Sequence, residues 1–131
     1  MIALDTSAIV AIALNEVEAS AFSRVIVTNE ALVGTPTLFE SHLVLAQQTV
    51  RNAEGFFASF LARSSIHPVA FNVEMFRLAQ STFDKFGKGK KHRAKLNFGD
   101  CMSYAVAKFH DVPLLFKGDD FWHTDIRSAL P

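Results

Sequence analysis

At four points along this chain of 131 residues, acidic side chains stand where a regular element would begin or end. Asp5 follows the apolar run "IAL". Glu40 lies in the first turns of the segment "TPTLFESHL". Asp100 stands at the entrance of "LNFGDCMSYAVAKF", a nearly all-apolar stretch, and Asp119 and Asp120 follow "VPLLF" in the turn "KGDDF". Carboxylates drawn together repel one another, and protons or cations must neutralise them. No His or Cys accompanies these acids in a spacing that suggests zinc. An oxygen-only ligand set suits magnesium or manganese. Sites of that kind act on phosphates, where the ion activates water and stabilises developing charge. Charge beside a core is expensive unless something pairs with it, and a metal would be such a partner for Asp100.

Each acid also has an ordinary role open to it. Asp5 could cap the helix that follows it. Thr37-x-x-Glu40 matches the capping-box pattern. Asp100 could be an N-cap or a first-turn acid, where the dipole favours negative charge. Asp119 and Asp120 suit a turn, and Cys101 reads as a small core residue. The stretch "KFGKGKKHRAK" carries Lys85, Lys88, Lys90, Lys91, Arg93 and Lys95, with His92 among them. It reads either as a solvated loop or as an arm that contacts phosphates beside the acidic site.

The length is that of one domain, residues 1–131, and an apolar content of 50% supplies a sizeable core. The formal net charge is zero, so no global field attracts nucleic acid or membrane, and any such binding must come from local patches. A single cysteine rules out an intrachain disulfide and fits a reducing cytoplasm. The apolar opening has no basic start and is interrupted early by Asp5, unlike a signal peptide. Its uninterrupted run over residues 8–14 is far too short to span a bilayer. These features predict a soluble cytoplasmic protein with no membrane partner.

The elements that must hold the acids follow from periodicity and punctuation. Strands are expected over residues 1–4, 31–34 and 112–116, with a strand or extended segment over 66–71. Helices are expected over 7–15, capped by Thr6 or Ser7, and over 18–29. Another runs over 35–50, with Pro36 in its first turn. A Phe-rich helix covers 53–64. Over 72–86 the residues Val73, Phe76, Ala79 and Phe83 keep helical spacing. A Gly/Lys loop covers 87–95, a helix 96–109 and a turn 117–121. Short apolar strands alternating with helices argue for an α/β fold on a parallel sheet. Ligands of such folds bind beyond the carboxyl ends of the strands, at a switch point.

The motifs "MIALDTSAIVAI", "TLFESHLVL", "LNFGDCMSYAVAK" and "PLLFKGDDFWHTDI", in that order, resemble those of PIN-domain ribonucleases. More narrowly, they are similar to the VapC toxins of VapBC toxin–antitoxin systems, and the resemblance covers essentially the whole chain. It implies a three-layer α/β/α sandwich around a mainly parallel sheet. It also implies endonucleolytic cleavage of RNA, commonly tRNA or ribosomal RNA, with Mg2+ or Mn2+, which stops translation. By the same resemblance the acidic site is Asp5, Glu40, Asp100 and an acid shared between Asp119 and Asp120. Asp5 and Asp100 are the expected metal ligands, and Glu40 orients water or completes the outer shell of the metal. Thr6 or Ser7 helps bind substrate through a hydroxyl, and Lys88, Lys90, Lys91 and Arg93 hold phosphates. Water activated at the metal would attack in line and leave a 5′ phosphate and a 3′ hydroxyl. The resemblance further implies a VapB-like antitoxin that pushes a cationic side chain into the acidic pocket, and a homodimer. The helix bearing Phe56, Phe57 and Phe60 is a candidate groove for the antitoxin, with at least one ring expected in the core.

Two other phosphate chemistries fit less well. A phospho-accepting receiver would carry an acidic pair after its first strand and a lysine after its last, but here the first strand offers only Asp5 and the pair comes late. A haloacid-dehalogenase phosphatase would carry Asp-x-Asp, whereas Asp5-Thr6-Ser7 lacks the second acid. The remaining alternative is a PIN-fold module that binds RNA or regulates without turnover.

Overall fold

The computed structural model describes residues 1–48 and 53–131. Its one sheet is built from β1 (Ile2–Leu4), β2 (Ala31–Gly34), β3 (Ile66–Val69) and β4 (Leu114–Leu115), all parallel, in the order β3-β2-β1-β4. Ile2 pairs with Ala31, Ala3 with Leu114, and Ala31 with Ile66. The described residues form six helices: α1 (Thr6–Ala13), α2 (Ala19–Val27), α3 (Thr35–Ala46), α4 (Ala53–Ala62), α5 (Val73–Phe86) and α6 (Phe98–His110). A short 3-10 helix (Asp120–His123) follows β4.

Successive strand side chains point to opposite faces, and this divides the core in two. Ala3, Leu32 and Leu114 pack with Met75, Phe86, Tyr104 and Val106 of α5 and α6. Ile2, Leu4, Val33 and Leu115 pack with Ile9, Phe22, Ile26 and Phe60 of α1, α2 and α4. Helices thus cover both faces, as buried parallel strands require, and the expected three-layer sandwich forms. The third helix touches α1 on one side and α6 on the other. It therefore crosses the end of the sheet and carries Glu40 there.

The strand order places the switch point at β1, between β2 and β4. Chain direction then sends Asp5 and the segment after Phe116 to the same carboxyl end. Both sheet edges are interrupted. β3 contains Pro68, which has no N–H to offer. Beyond β4 the C-terminal tail adds one parallel bridge at Ser128: Leu114 N donates to Arg127 O at 2.8 Å and Ala129 N to Leu114 O at 2.8 Å.

Three local expectations need correction. The first helix is capped by Asp5, the ordinary role open to that acid, whose side chain accepts from Ser7 N, and not by Thr6 or Ser7. The short polar side chain one residue earlier reaches the free N–H first. The proposed Thr37–Glu40 capping box does not form. The helix opens at Thr35 with Gly34 as its cap, so Thr37 is already inside, its Oγ1 lying 3.2 Å from Ser103 Oγ. On α5 the buried face is Met75, Ala79, Thr82 and Phe86, while Val73, Phe76 and Phe83 are exposed. The end of the helix expected over 35–50 lies outside the described residues at 49–50.

Gly34 closes β2 where α6 comes closest. A Cβ there would fall 2.8 Å from Val106 Cγ2. Gly34→Ala is expected to destabilise the fold by about 1–3 kcal/mol through overpacking, measured by urea denaturation. Adding Val106→Ala should return part of that loss, a coupling that a double-mutant cycle reads directly.

Candidate active site

Asp5 is the innermost acid, only 4% exposed. Its backbone N–H donates to Leu115 O at 3.0 Å and so ends the β1–β4 ladder. Its Oδ2 accepts from Ser7 N at 3.0 Å and from Ser7 Oγ at 2.6 Å. Ser7 Oγ in turn accepts from Lys117 N at 2.9 Å. One hydroxyl thus joins the exits of β1 and β4. Asp5 Oδ1 is buried and has no hydrogen-bond partner. A charged oxygen out of water and unpaired is costly.

Glu40 reaches the same end from α3. Thr6 Oγ1 donates to Glu40 Oε1. The carboxylate lies against the first turn of α6, where a Cβ on Gly99 would collide with Glu40 Oε2. It occupies the room that a side chain at 99 would take.

Asp100 is fixed by a capping box with Asn97. Asp100 N donates to Asn97 Oδ1 at 2.9 Å, and Asn97 N donates to Asp100 Oδ2 at 3.1 Å. Burial pushes the Asp100 carboxyl up from 3.8 to about 7, opposed by the Asn97 N–H and reinforced by the charges of Asp5, Asp120 and Glu40. The ordinary role foreseen for Asp100, a first-turn acid, and its place among the clustered acids are therefore both occupied by one side chain.

Of the two late acids, Asp120 opens the 3-10 helix and contributes to the field on Asp100, whereas Asp119 is not among the causes of that shift. Both are exposed.

The donor set suits a hard dication. Every candidate ligand atom is oxygen, one of them is a buried orphan, and the field at Asp100 favours a cation. Among the described residues no three His, Cys, Asp or Glu side chains lie close enough to enclose one ion. Magnesium commonly takes only one or two carboxylates and keeps several waters, so Asp5 and Asp100 fit as a ligand pair.

The basic residues sit next to this end. Lys88, Lys90, Lys91 and Arg93 lie on the turn between α5 and α6, and the three lysines are exposed. The turn is closed at its stem, with Lys88 N donating to Leu96 O at 2.8 Å and Leu96 N to Phe86 O at 2.9 Å. His92 does not project with the lysines. Its ring packs on Phe86 at 4.9 Å and its Nδ1 accepts from Ala94 N at 3.0 Å. Thr6 and Ser7, the expected substrate-binding hydroxyls, hydrogen-bond Glu40 and Asp5. Cys101 is buried, with its thiol pushed up to about 11 by burial and then by Asp100, which suits a core residue.

Gly99 and Asn97 were not singled out by sequence reasoning. Asn97-x-x-Asp100 is a capping pattern in its own right, so the signal for Asn97 was present in the chain. Gly99 gave no signal of its own, because its role depends on where Glu40 arrives from another helix.

On the α3–α4 side, Phe39 and Leu43 are 62% and 45% exposed, and Leu61 is 41% exposed. His42 stacks on Phe39 and meets Phe57 edge-on. Phe60 is buried in the core, whereas Phe56 and Phe57 are only partly covered. Among the described residues no helix is long and apolar enough to cross a membrane.

Comparison with known proteins agrees with this architecture. The PIN domain family model matches residues 2–126. Ribonuclease VapC30 of Mycobacterium tuberculosis is 38% identical over 130 residues, covering 98% of both chains. Ribonuclease VapC28 of the same organism is 34% identical over 128 residues, covering 97% of this chain and 96% of that one. In fold, the chain resembles the crystal structure of Mycobacterium tuberculosis VapC20, described as a sarcin–ricin loop cleaving toxin. That match has a TM-score of 0.80 at 14% identity over the full length of both chains. A toxin–antitoxin complex from Klebsiella pneumoniae matches with a TM-score of 0.69 at 14% identity, over 92% of this chain and 90% of that one. The chain belongs to the PIN-domain family, in its VapC ribonuclease branch.

The raised Asp100 carboxyl has a consequence for the metal-free chain. Between about pH 4 and pH 7 the unfolded chain releases this proton while the folded chain keeps it, so the group makes stability fall as pH rises through that window. Asp100→Asn keeps an acceptor for the Asn97 N–H and removes the charge. In EDTA at pH 8 it is expected to be more stable than wild type by roughly 1 kcal/mol, with the difference shrinking towards pH 4. Urea unfolding across pH checks this, and equal pH profiles would contradict it.

Proposed function

We propose that the chain is a metal-dependent endoribonuclease, the toxin of a VapBC-type pair, which cleaves structured RNA such as tRNA or ribosomal RNA and so inhibits translation. The observation that carries this reading is the buried, unpartnered Asp5 Oδ1 beside an Asp100 carboxyl raised by burial and by its acidic neighbours. The identity with VapC ribonucleases over nearly the whole chain supports it.

Asp5 and Asp100 would hold Mg2+ or Mn2+, which when bound supplies a Lewis acid for water activation and neutralises charge on the phosphate. Glu40, fixed by the Thr6 hydroxyl, orients the attacking water and accepts its proton. Ser7 keeps Asp5 aimed by holding Oδ2, which leaves Oδ1 free to bind. Asp120 is the fourth acid and adds to the negative field at the site. Lys88, Lys90, Lys91 and Arg93 contact backbone phosphates, giving affinity more than sequence choice.

The exposed rings of α3 and α4 suit an apolar segment of a VapB-like antitoxin, and the nearby acids suit a cationic side chain delivered by it. Homodimerisation belongs to the same reading. An enzyme acting on tRNA or ribosomal RNA works in the cytoplasm. A catalytically silent RNA-binding module is the second reading, favoured by carboxylates set too far apart for three to enclose one ion.

Cleavage of structured RNA by purified, antitoxin-free protein separates the two. Wild type is expected to cut with Mg2+ or Mn2+ and to stop in EDTA. Asp5→Asn and Asp100→Asn should each lower the rate by roughly 100-fold or more, while Thr6→Val, which only releases Glu40, should cost about 10- to 100-fold. Folded wild type that binds RNA with metal and never cuts it would establish the silent module.

The contact between Gly99 and Glu40 gives a further expectation. Gly99→Ala forces the Glu40 carboxylate aside and should lower kcat by at least about 10-fold. Unfolding midpoints would check that the variant is folded, and unchanged kcat would remove Glu40 from the mechanism.

A further inference from the structure

The stripe on α5 that helical spacing marks as a core face is largely open to solvent. Phe76 is 55% exposed and Phe83 is 38% exposed. Across from them, at the start of α6, Phe98 is 76% exposed. With Met102 and Gln80 these rings line a groove of about 350 Å³. An open groove of this make-up needs an occupant, because clustered exposed aromatic rings on a soluble surface mark binding sites.

Three features of the groove indicate what the occupant is. First, its lining contains no carboxylate, and Lys90 stands at its rim, with Nζ 5.6 Å from the centroid of the Phe83 ring. Among the described residues Lys85, Lys88 and Lys90 make no ion pair, so their charge is available. Second, the groove ends at the first turn of α6, the same turn that carries Asp100, with Phe98 and Asp100 two residues apart on different sides of it. Third, one of its rings is packed on backbone: a Cβ on Gly87 would collide with Phe83 Cδ1. A positive charge beside exposed aromatic faces is the combination that binds single-stranded nucleic acid.

We propose that Phe98, backed by Phe76 and Phe83, is a stacking platform for an unpaired nucleobase of the RNA strand, next to the phosphate that is cut. Lys88 and Lys90 hold the adjoining phosphates, and Gln80 supplies the one amide in the groove that can read a base edge. The inference rests on the ribonuclease reading and deepens it by naming how the substrate strand is held. It requires a looped-out or single-stranded base at the cleavage site.

The test uses a short single-stranded oligoribonucleotide carrying 2-aminopurine, and its counterpart with an abasic site at that position. Both strands carry a terminal fluorescein, and binding is measured by its anisotropy in the Asp100→Asn background, which prevents cutting; 2-aminopurine quenching reports stacking in the intact strand. Phe98→Ala is expected to weaken binding roughly 5- to 150-fold, and Phe98→Trp to restore it. The abasic strand should bind with the same affinity whether or not Phe98→Ala is present. In the cleaving background, Phe98→Ala should raise KM more than it lowers kcat. Unchanged affinity and KM in Phe98→Ala, with cutting that still needs Asp100 and metal, would overturn the platform and leave the ribonuclease reading standing. A loss equal for the intact and abasic strands would overturn it too, because the ring would then act without the base. A dimer that Phe98→Ala dissociates in sedimentation, with RNA affinity unchanged, would give the groove to a second copy. Wild type that neither binds nor cuts RNA with metal would overturn the ribonuclease reading itself.

Discussion

A carboxylate at the end of a central strand is out of water before it has a counter-charge, and the carboxyl end of the sheet is organised by that fact. Asp5 is covered on one oxygen by Ser7 and left bare on the other. A site made this way must be assembled from distant parts of the chain, since no single segment could hold several acids together against their repulsion. The strand order delivers β4 beside β1, the crossing of α3 delivers Glu40, and the capping box of α6 delivers Asp100. Asp5, Glu40 and Asp100 are each held by a neutral donor, a hydroxyl or a backbone N–H, and among the described residues none of the three is paired with a fixed cation. That arrangement keeps the field negative and available to whatever binds.

The sequence carried much of this, unevenly. Strand and helix positions were legible because apolar runs, Gly34, Pro36 and the turn residues punctuate them. Asp5 and Asp100 were legible because one falls at a strand end and the other at a helix start, whereas Glu40 lies in the middle of α3. What periodicity could not convey was which side of α5 meets the core. Val73, Phe76, Ala79 and Phe83 keep helical spacing, but so do Met75, Ala79, Thr82 and Phe86, and the second set contains a threonine that hides the pattern. Thr82 is buried beside Tyr104, whose hydroxyl donates to Asp125. The polar residue is thus part of the core, and three large apolar residues are outside it.

The contact of Gly99 with Glu40 was beyond sequence reading for a different reason. It is a property of a pair separated by nearly half the chain, created only when α3 and α6 dock. Conversely, zero net charge was read correctly as excluding a global field, yet the chain segregates its charges locally. Acids collect at the sheet end while lysines collect on the adjoining turn. Over distances near a Debye length of about 8 Å such neighbours are felt separately, not as their sum. A neutral protein can in this way set a negative field and a cationic track side by side.

The interruption of both sheet edges constrains how the molecule can be approached. Pro68 breaks the outer ladder of β3, and the tail at Ser128 occupies the outer side of β4. Exposed strand edges are templates for another chain to extend, and here neither side offers a continuous row of free donors and acceptors. Recognition by strand addition is therefore closed to this fold. Any protein that pairs with it has to lay its own side chains on helices, which makes specificity a matter of matching shapes and rings, not of sharing a backbone ladder.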